Sequence, residues 1–154
     1  MTNNFWKEIN ILLKFSHRGG LKFIHTNVYK KSKIYISQIR CFFMLLSKKA
    51  IIAINKEFEN GVVINDSSLD YAITLAKKSN NWLKSLAMLV RAILIDHVFE
   101  EGNKRTAAAV IMAVLEMHEI AYNKDKINKM IVKMLRKNIT NLNEIMFLIK
   151  NVTE

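Results

Sequence analysis

The sequence predicts an all-α fold, and three observations carry that expectation. Proline is absent and only four glycines occur in 154 residues, which favours long helices over a sandwich of many turns. Apolar residues recur at helical spacing along most of the chain. Two stretches, Leu83 to Ile95 and Ala107 to Leu115, are apolar nearly all round, as helices at the centre of a bundle are. A chain of this length is expected to bury roughly two-thirds of its unfolded surface, so neither disulfides nor a structural metal is needed.

Taken in order, Phe5, Ile9, Leu12 and Leu13 share a helical face, with Asn3 or Asn4 as the cap. His17-Arg18-Gly19-Gly20 ends that helix. Leu21 to Ile39 is ambiguous: Ile34 and Ile36 alternate like a strand, while Ile39 to Leu46 reads as a buried helix. Ser47 is expected to cap a helix running to about Glu59, with Ala50, Ile51, Ile54 and Phe58 on its apolar face. Asn60-Gly61 stops it. Val62-Val63-Ile64 is a short β-branched run, a loop or brief strand, closed by Asn65-Asp66. Asp66 or Ser67 is expected to cap the next helix, which carries Leu69, Ala72, Ile73 and Ala76 on one face and breaks at Ser79-Asn80-Asn81.

A helix from Trp82 to about Asp96 follows, then one from about Arg105 to Met117 built on Ala107, Ala108, Ala109 and Ala113. Small side chains there let neighbouring helices approach closely. Asp125 is expected to cap a helix facing inward through Ile127, Met130, Ile131, Met134 and Leu135. Thr140 or Asn141 caps the last, where Asn141 and Glu144 fit a capping box and Leu142, Ile145, Met146 and Ile149 form the buried side. The methionines read as core filler.

Charge and compartment set bounds on function. The net charge is +11, and residues 1–60 hold 11 Lys or Arg against 3 Asp or Glu. Such a balance biases partners toward phosphate-bearing or acidic molecules. Nucleic acid bound by the basic N-terminal third is one reading; a solvated basic surface is the blander one. His17 and His25 have no partner at ligand spacing. Cys41 is alone, no run of 18 apolar residues occurs, and Lys7, Glu8 and Lys14 interrupt any secretory pattern, so the chain reads as cytoplasmic.

Chemistry concentrates in His97-Val98-Phe99-Glu100-Glu101-Gly102-Asn103-Lys104-Arg105-Thr106, between the two most apolar helices. Gly102-Asn103-Lys104 leads into a helix N-terminus, whose free N–H groups and dipole make an anion site. Lys104 and Arg105 place cations where the dipole disfavours them, which makes sense if an anion sits between. A carboxylate of Glu100 or Glu101 beside a phosphate suits Mg²⁺. His97 is a titratable base next to it. The bland alternative is a polar helix connection, with Glu101 and Arg105 as an i,i+4 pair and Gly102 as a turn.

His97-x-Phe99-x-Glu101-Gly102-Asn103-Lys104-Arg105 resembles the signature of the Fic/Doc family, H-x-F-x-D/E-G-N-G/K-R. The likeness covers about residues 46–150, leaving 1–45 as a basic extension and 46–154 as the domain. It implies a compact helical Fic fold with a short β-like flap, and transfer of a phosphate-containing group from Mg·ATP to a protein hydroxyl. It implies that His97 deprotonates the hydroxyl, Glu101 holds Mg²⁺, Gly102, Asn103 and Lys104 line the anion hole, and Arg105 contacts phosphate. Val62, Val63 and Ile64 would dock the target segment as an added strand.

Val98 replaces the family's usual proline. Lys104 stands where AMP-transferring members have a second glycine, and Ala108 where they have a second arginine. Both resemble the Doc (death-on-curing) toxin branch, whose members transfer the terminal phosphate and so act as protein kinases. Gly102 is the glycine of AMP-transferring members, so adenylyl transfer stays open. Autoinhibited members carry S/T-x-x-x-E-G/N; only Thr140 has a glutamate four residues on, Glu144, and both read as capping. The likeness therefore implies control by a separate antitoxin. An alternative of another class is a non-catalytic basic module that binds nucleic acid or an antitoxin.

Overall fold

The computed structural model describes residues 47–153. The helix expected around Phe5 to Leu13, its stop at His17 to Gly20, the stretch from Leu21 to Leu46, Cys41 and His25 lie outside the described residues. Within them the chain is helical: α1 (Lys48–Lys56), α2 (Asp66–Lys78), α3 (Trp82–Leu94), α4 (Asn103–Met117), α5 (Lys124–Arg136) and α6 (Leu142–Lys150). Among the described residues, β-pairing is limited to two isolated antiparallel bridges, Val63 with Phe99 and Tyr122 with Thr153.

The centre is α3. It buries nine of its thirteen residues, including Leu86, Leu89, Val90, Ile93 and Leu94, and packs against α2, α4, α5 and α6. Ser85 is the polar residue inside it; its hydroxyl donates to the Ala76 carbonyl at 2.8 Å, so the buried oxygen is satisfied. The alanines expected to permit close approach do lie inside α4: Ala107, Ala109 and Ala113 are buried, and Ala108 is half-buried. Both α3 and α1 pack on α4. The methionine reading holds for Met130 and Met134, which are core.

Ser47 caps α1, accepting from Ala50 N at 3.1 Å. Asparagines cap four further helices, and two of them displace the expected caps. Asn65 caps α2 in place of Asp66 or Ser67, and Asn123 caps α5 in place of Asp125. In both cases the acid falls in the helix's first turn, where its charge meets the positive end of the dipole. Asp66 is also paired with Lys48 at 2.5 Å, and Asp70 with the same lysine at 3.1 Å, joining α1 to α2. Asn141 caps α6 as expected.

Three boundaries differ from the periodicity. α1 stops at Lys56 instead of Glu59, because the Phe58 and Glu59 amides both fold back onto the Asn55 carbonyl at 2.9 Å. α3 stops at Leu94 instead of Asp96, with the Ile95 and Asp96 amides sharing the Arg91 carbonyl. α4 begins at Asn103 instead of Arg105, so both cations stand in its first turn.

Just past α4, His118 stacks on Trp82 at 4.4 Å between ring centroids. Burial lowers its pKa below the usual imidazole range. The folded chain therefore binds the proton less readily than the unfolded chain. Stability from this site is complete above about pH 6.5 and is lost as pH falls through the depressed folded-state value. Urea midpoints compared at about pH 7.5 and about pH 5.5 are expected to drop on acidification, and to drop less in His118→Phe. An equal loss in that variant would remove His118 from the explanation.

Candidate active site: the loop between α3 and α4

The first half of the loop is anchored through Asp96. Its carboxylate accepts from Ser68 Oγ at 2.6 Å and faces Arg91 at 3.4 Å, while its carbonyl accepts from Asn65 Nδ2 at 2.8 Å. His97 follows with φ of 48°, in the left-handed region. Histidine enters that region more readily than most side chains, at a cost of order 1–2 kcal/mol. The turn leaves the imidazole exposed and sends Val98 and Phe99 into the core, where both are fully buried. Phe99 anchors the loop in the core.

Asn103 closes the second half. Its Nδ2 donates to the Phe99 carbonyl at 2.6 Å, and its Oδ1 accepts from Phe99 N at 3.0 Å. Both ends of its amide are thus engaged in holding the loop, and what Asn103 offers an anion is its backbone N–H. Gly102 is the N-cap of α4, with φ of 78° and no side chain to satisfy the first amides. The other five helices all have a side-chain cap. Glu100, Glu101 and Lys104 are exposed around this end.

The Val62–Ile64 segment lies antiparallel beside the loop. Ile64 N donates to the Val98 carbonyl at 2.9 Å, and Glu100 N donates to the Val62 carbonyl at 3.0 Å. That pattern makes Val63 and Phe99 a non-hydrogen-bonded pair, so the N–H and C=O of Val63 point to the outer edge. Val62 and Ile64 expose 45% and 61% of their surface on the same face. An apolar pair beside a free strand edge is able to accept another strand.

Asn55 joins these parts, and it was not singled out from the sequence. It is 1% exposed. Its Nδ2 donates to the Glu101 carbonyl and to Thr106 Oγ1, each at 3.0 Å, and its Oδ1 accepts from Gly61 N at 2.9 Å. One side chain thus ties α1, the start of the Val62–Ile64 segment, the loop and α4. The available signal was positional: Asn55 stands four residues after Ile51, on the face that α1 buries.

Arg105 is not paired with Glu101. It is bound to Glu59, which leaves α1 at its C-terminal end, and its guanidinium lies over the Phe58 ring at 5.8 Å from the centroid. Among the described residues no group of three or more His, Cys, Asp or Glu could hold a metal ion. These residues do not form an all-protein metal cage; a cation held here would need most of its oxygen ligands from elsewhere.

The chain matches no protein family, no curated protein and no solved structure in the comparisons made with each. The likeness to Fic/Doc therefore stands on the motif residues themselves.

Two substitutions probe this construction. Asn55→Ala strands the Gly61 amide, the Glu101 carbonyl and the Thr106 hydroxyl, and is expected to cost about 2–4 kcal/mol in urea unfolding; a change under about 0.5 kcal/mol would mean that water replaces the amide freely. Gly102→Ala meets both a left-handed φ and a Cβ 2.8 Å from Glu59 Cγ. A loss of about 1–3 kcal/mol is expected there, and a stabilised variant would contradict the left-handed turn.

Proposed function

We propose that the chain is a Fic/Doc-like transferase that moves the terminal phosphate of ATP to a hydroxyl of a target protein. The observation that carries this reading is the start of α4: a glycine N-cap without side chain, two cations in the first turn and no acid there. Lys104 and Arg105 set like charge against the helix dipole, and Glu59 pairs only Arg105; a bound phosphate chain would engage both cations and the first amides together. The left-handed His97 directly before the strand pair supports the reading, since strained backbone concentrates at functional positions.

In this reading the N–H groups of Asn103, Lys104 and Arg105, with the latter two side chains, hold the phosphates. Glu101 holds the Mg²⁺ that accompanies ATP, which neutralises charge on the phosphate oxygens. The target lies along the outer edge of Val62–Ile64 as an added strand. His97 accepts the proton of its Ser, Thr or Tyr hydroxyl as that oxygen bonds to the terminal phosphorus and the bond to the ADP oxygen breaks. Rate comes mainly from positioning and electrostatics. Lys104 and Ala108 favour terminal-phosphate transfer over adenylyl transfer, the second reading, which rests on Gly102. A separate antitoxin and a cytoplasmic setting go with the Doc-like assignment.

Incubation with a cell extract and ATP labelled at the γ or the α phosphate tests this. Label is expected from γ-ATP only, falling by about 10²–10⁴ in His97→Ala. Label from α-ATP alone would replace the kinase reading by adenylyl transfer. Transfer that persists in His97→Ala would overturn both.

A further inference from the structure

α5 carries five Lys or Arg against a single acid, Asp125, and eight of its thirteen residues are exposed. Lys126, Lys129, Lys133 and Lys137 succeed one another three or four residues apart, so they form one row along the helix, with Arg136 beside its end. The row runs for about 15 Å at the helical rise. Like charges at that spacing repel and cost the isolated helix stability. Lys133 and Arg136 lie in the last turn, where the dipole favours them, but Lys126 stands in the first turn, where the dipole opposes it. Among the described residues, none of these five side chains is in an ion pair. Residues 1–45 hold eight Lys or Arg against Glu8 alone, so that segment has little acid to offer them.

We propose that the exposed face of α5 is a docking surface for the phosphate backbone of double-stranded DNA, bound without regard to sequence. Charge complementarity supplies the attraction: a duplex presents closely spaced phosphates, and each lysine that meets one releases a condensed counterion. The rest of the helix decides against other polyanions. A membrane surface takes an apolar face rich in Trp, Phe or Leu, whereas Ile127, Met130, Ile131 and Met134 are buried in the core and Val132 is the one exposed large apolar residue of α5. Single strands are held by aromatic stacking, and α5 has no aromatic residue. Protein interfaces are depleted in lysine at their centres, and here lysines make the row. Duplex RNA has a deep, narrow major groove, while that of B-DNA is about 12 Å wide and admits an α-helix. The row presents no Asn or Gln to pair with a base edge, so it contacts phosphates only.

Fluorescence anisotropy of a labelled DNA duplex of about 20 base pairs, titrated with the full chain between about 50 and 200 mM salt, tests this. The wild type is expected to bind unrelated duplex sequences within about twofold of one another, and more weakly as salt rises. The double variant Lys129→Gln, Lys133→Gln is expected to lower the slope of log affinity against log salt by about 2, and to bind about tenfold or more weakly at about 100 mM salt. The pair Lys77→Gln, Lys78→Gln removes the same charge from exposed positions at the end of α2 and is expected to leave the slope within about 0.5 of wild type. If the α5 double variant fails to fold, Lys129→Gln and Lys133→Gln are measured singly, each with an expected loss of about 1 in slope.

An unchanged slope in the α5 variants would overturn the proposal and leave any DNA binding to other residues. A matching loss in the α2 pair would reduce the effect to general charge and overturn it equally. Duplex RNA, polyglutamate and vesicles of anionic lipid are run as competitors of the labelled DNA. Displacement by any of them at a lower concentration of charge than unlabelled DNA requires would assign the face to that partner instead. A wild type that binds no duplex DNA at about 50 mM salt would remove the docking surface altogether.

Discussion

The site depends on how α4 begins. A helix of fifteen residues with eight buried starts at a glycine in the left-handed region, with no side chain over its first amides. Any side chain there would be strained, because φ is left-handed and the space beside Gly102 is filled by Asn55 of α1 and by Glu59 just past its end. α1 in turn is fixed by its packing on α4 and α2. The position of the polar loop is therefore a consequence of how three helices pack. The first amides are left without a side-chain cap, Glu59 pairs Arg105 beside them, and a phosphate chain would engage the amides in the proposed complex.

A rigid scaffold surrounds that point. α3 is enclosed by α2, α4, α5 and α6 and delivers His97 three residues after its C-terminal end. Val98 and Phe99 pin the loop in the core, and the Asn103 amide staples it from within. Only His97, the two glutamates, Lys104 and Arg105 remain at the surface. Buried anchors alternate with exposed reactive groups over nine residues, which places the reactive groups without relying on their own contacts. The Val62–Ile64 segment joins the same frame through two backbone hydrogen bonds, and Asn55 links its start to Glu101.

Much of this was legible in the sequence, for definable reasons. The helices of the described residues follow from apolar periodicity; the buried face of α2 matches it residue for residue and that of α5 except for the half-buried Leu135, whereas in α6 Leu142 and Met146 are half-buried and Leu148 is buried instead. The polar loop stood out because its composition opposed that of the helices flanking it. What escaped were interactions between positions far apart in the chain. Nothing near Asn55 announces that it meets Glu101 and Thr106, and Glu59 looked like the end of a helix. The caps at Asn65 and Asn123 were misplaced by one or two residues because an acid followed each asparagine, and either type serves at an N-cap. The left-handed φ of His97 has no sequence signal.

The most direct measurement is a titration of Mg·ATP into isotopically labelled protein, followed through backbone amide resonances. If the bare start of α4 is the phosphate site, the amides of Gly102, Asn103, Lys104 and Arg105 shift first and saturate together, with His97 and Glu59 responding beside them. Shifts confined to other helices or to the basic N-terminal third, with residues 102–105 unmoved, would contradict it.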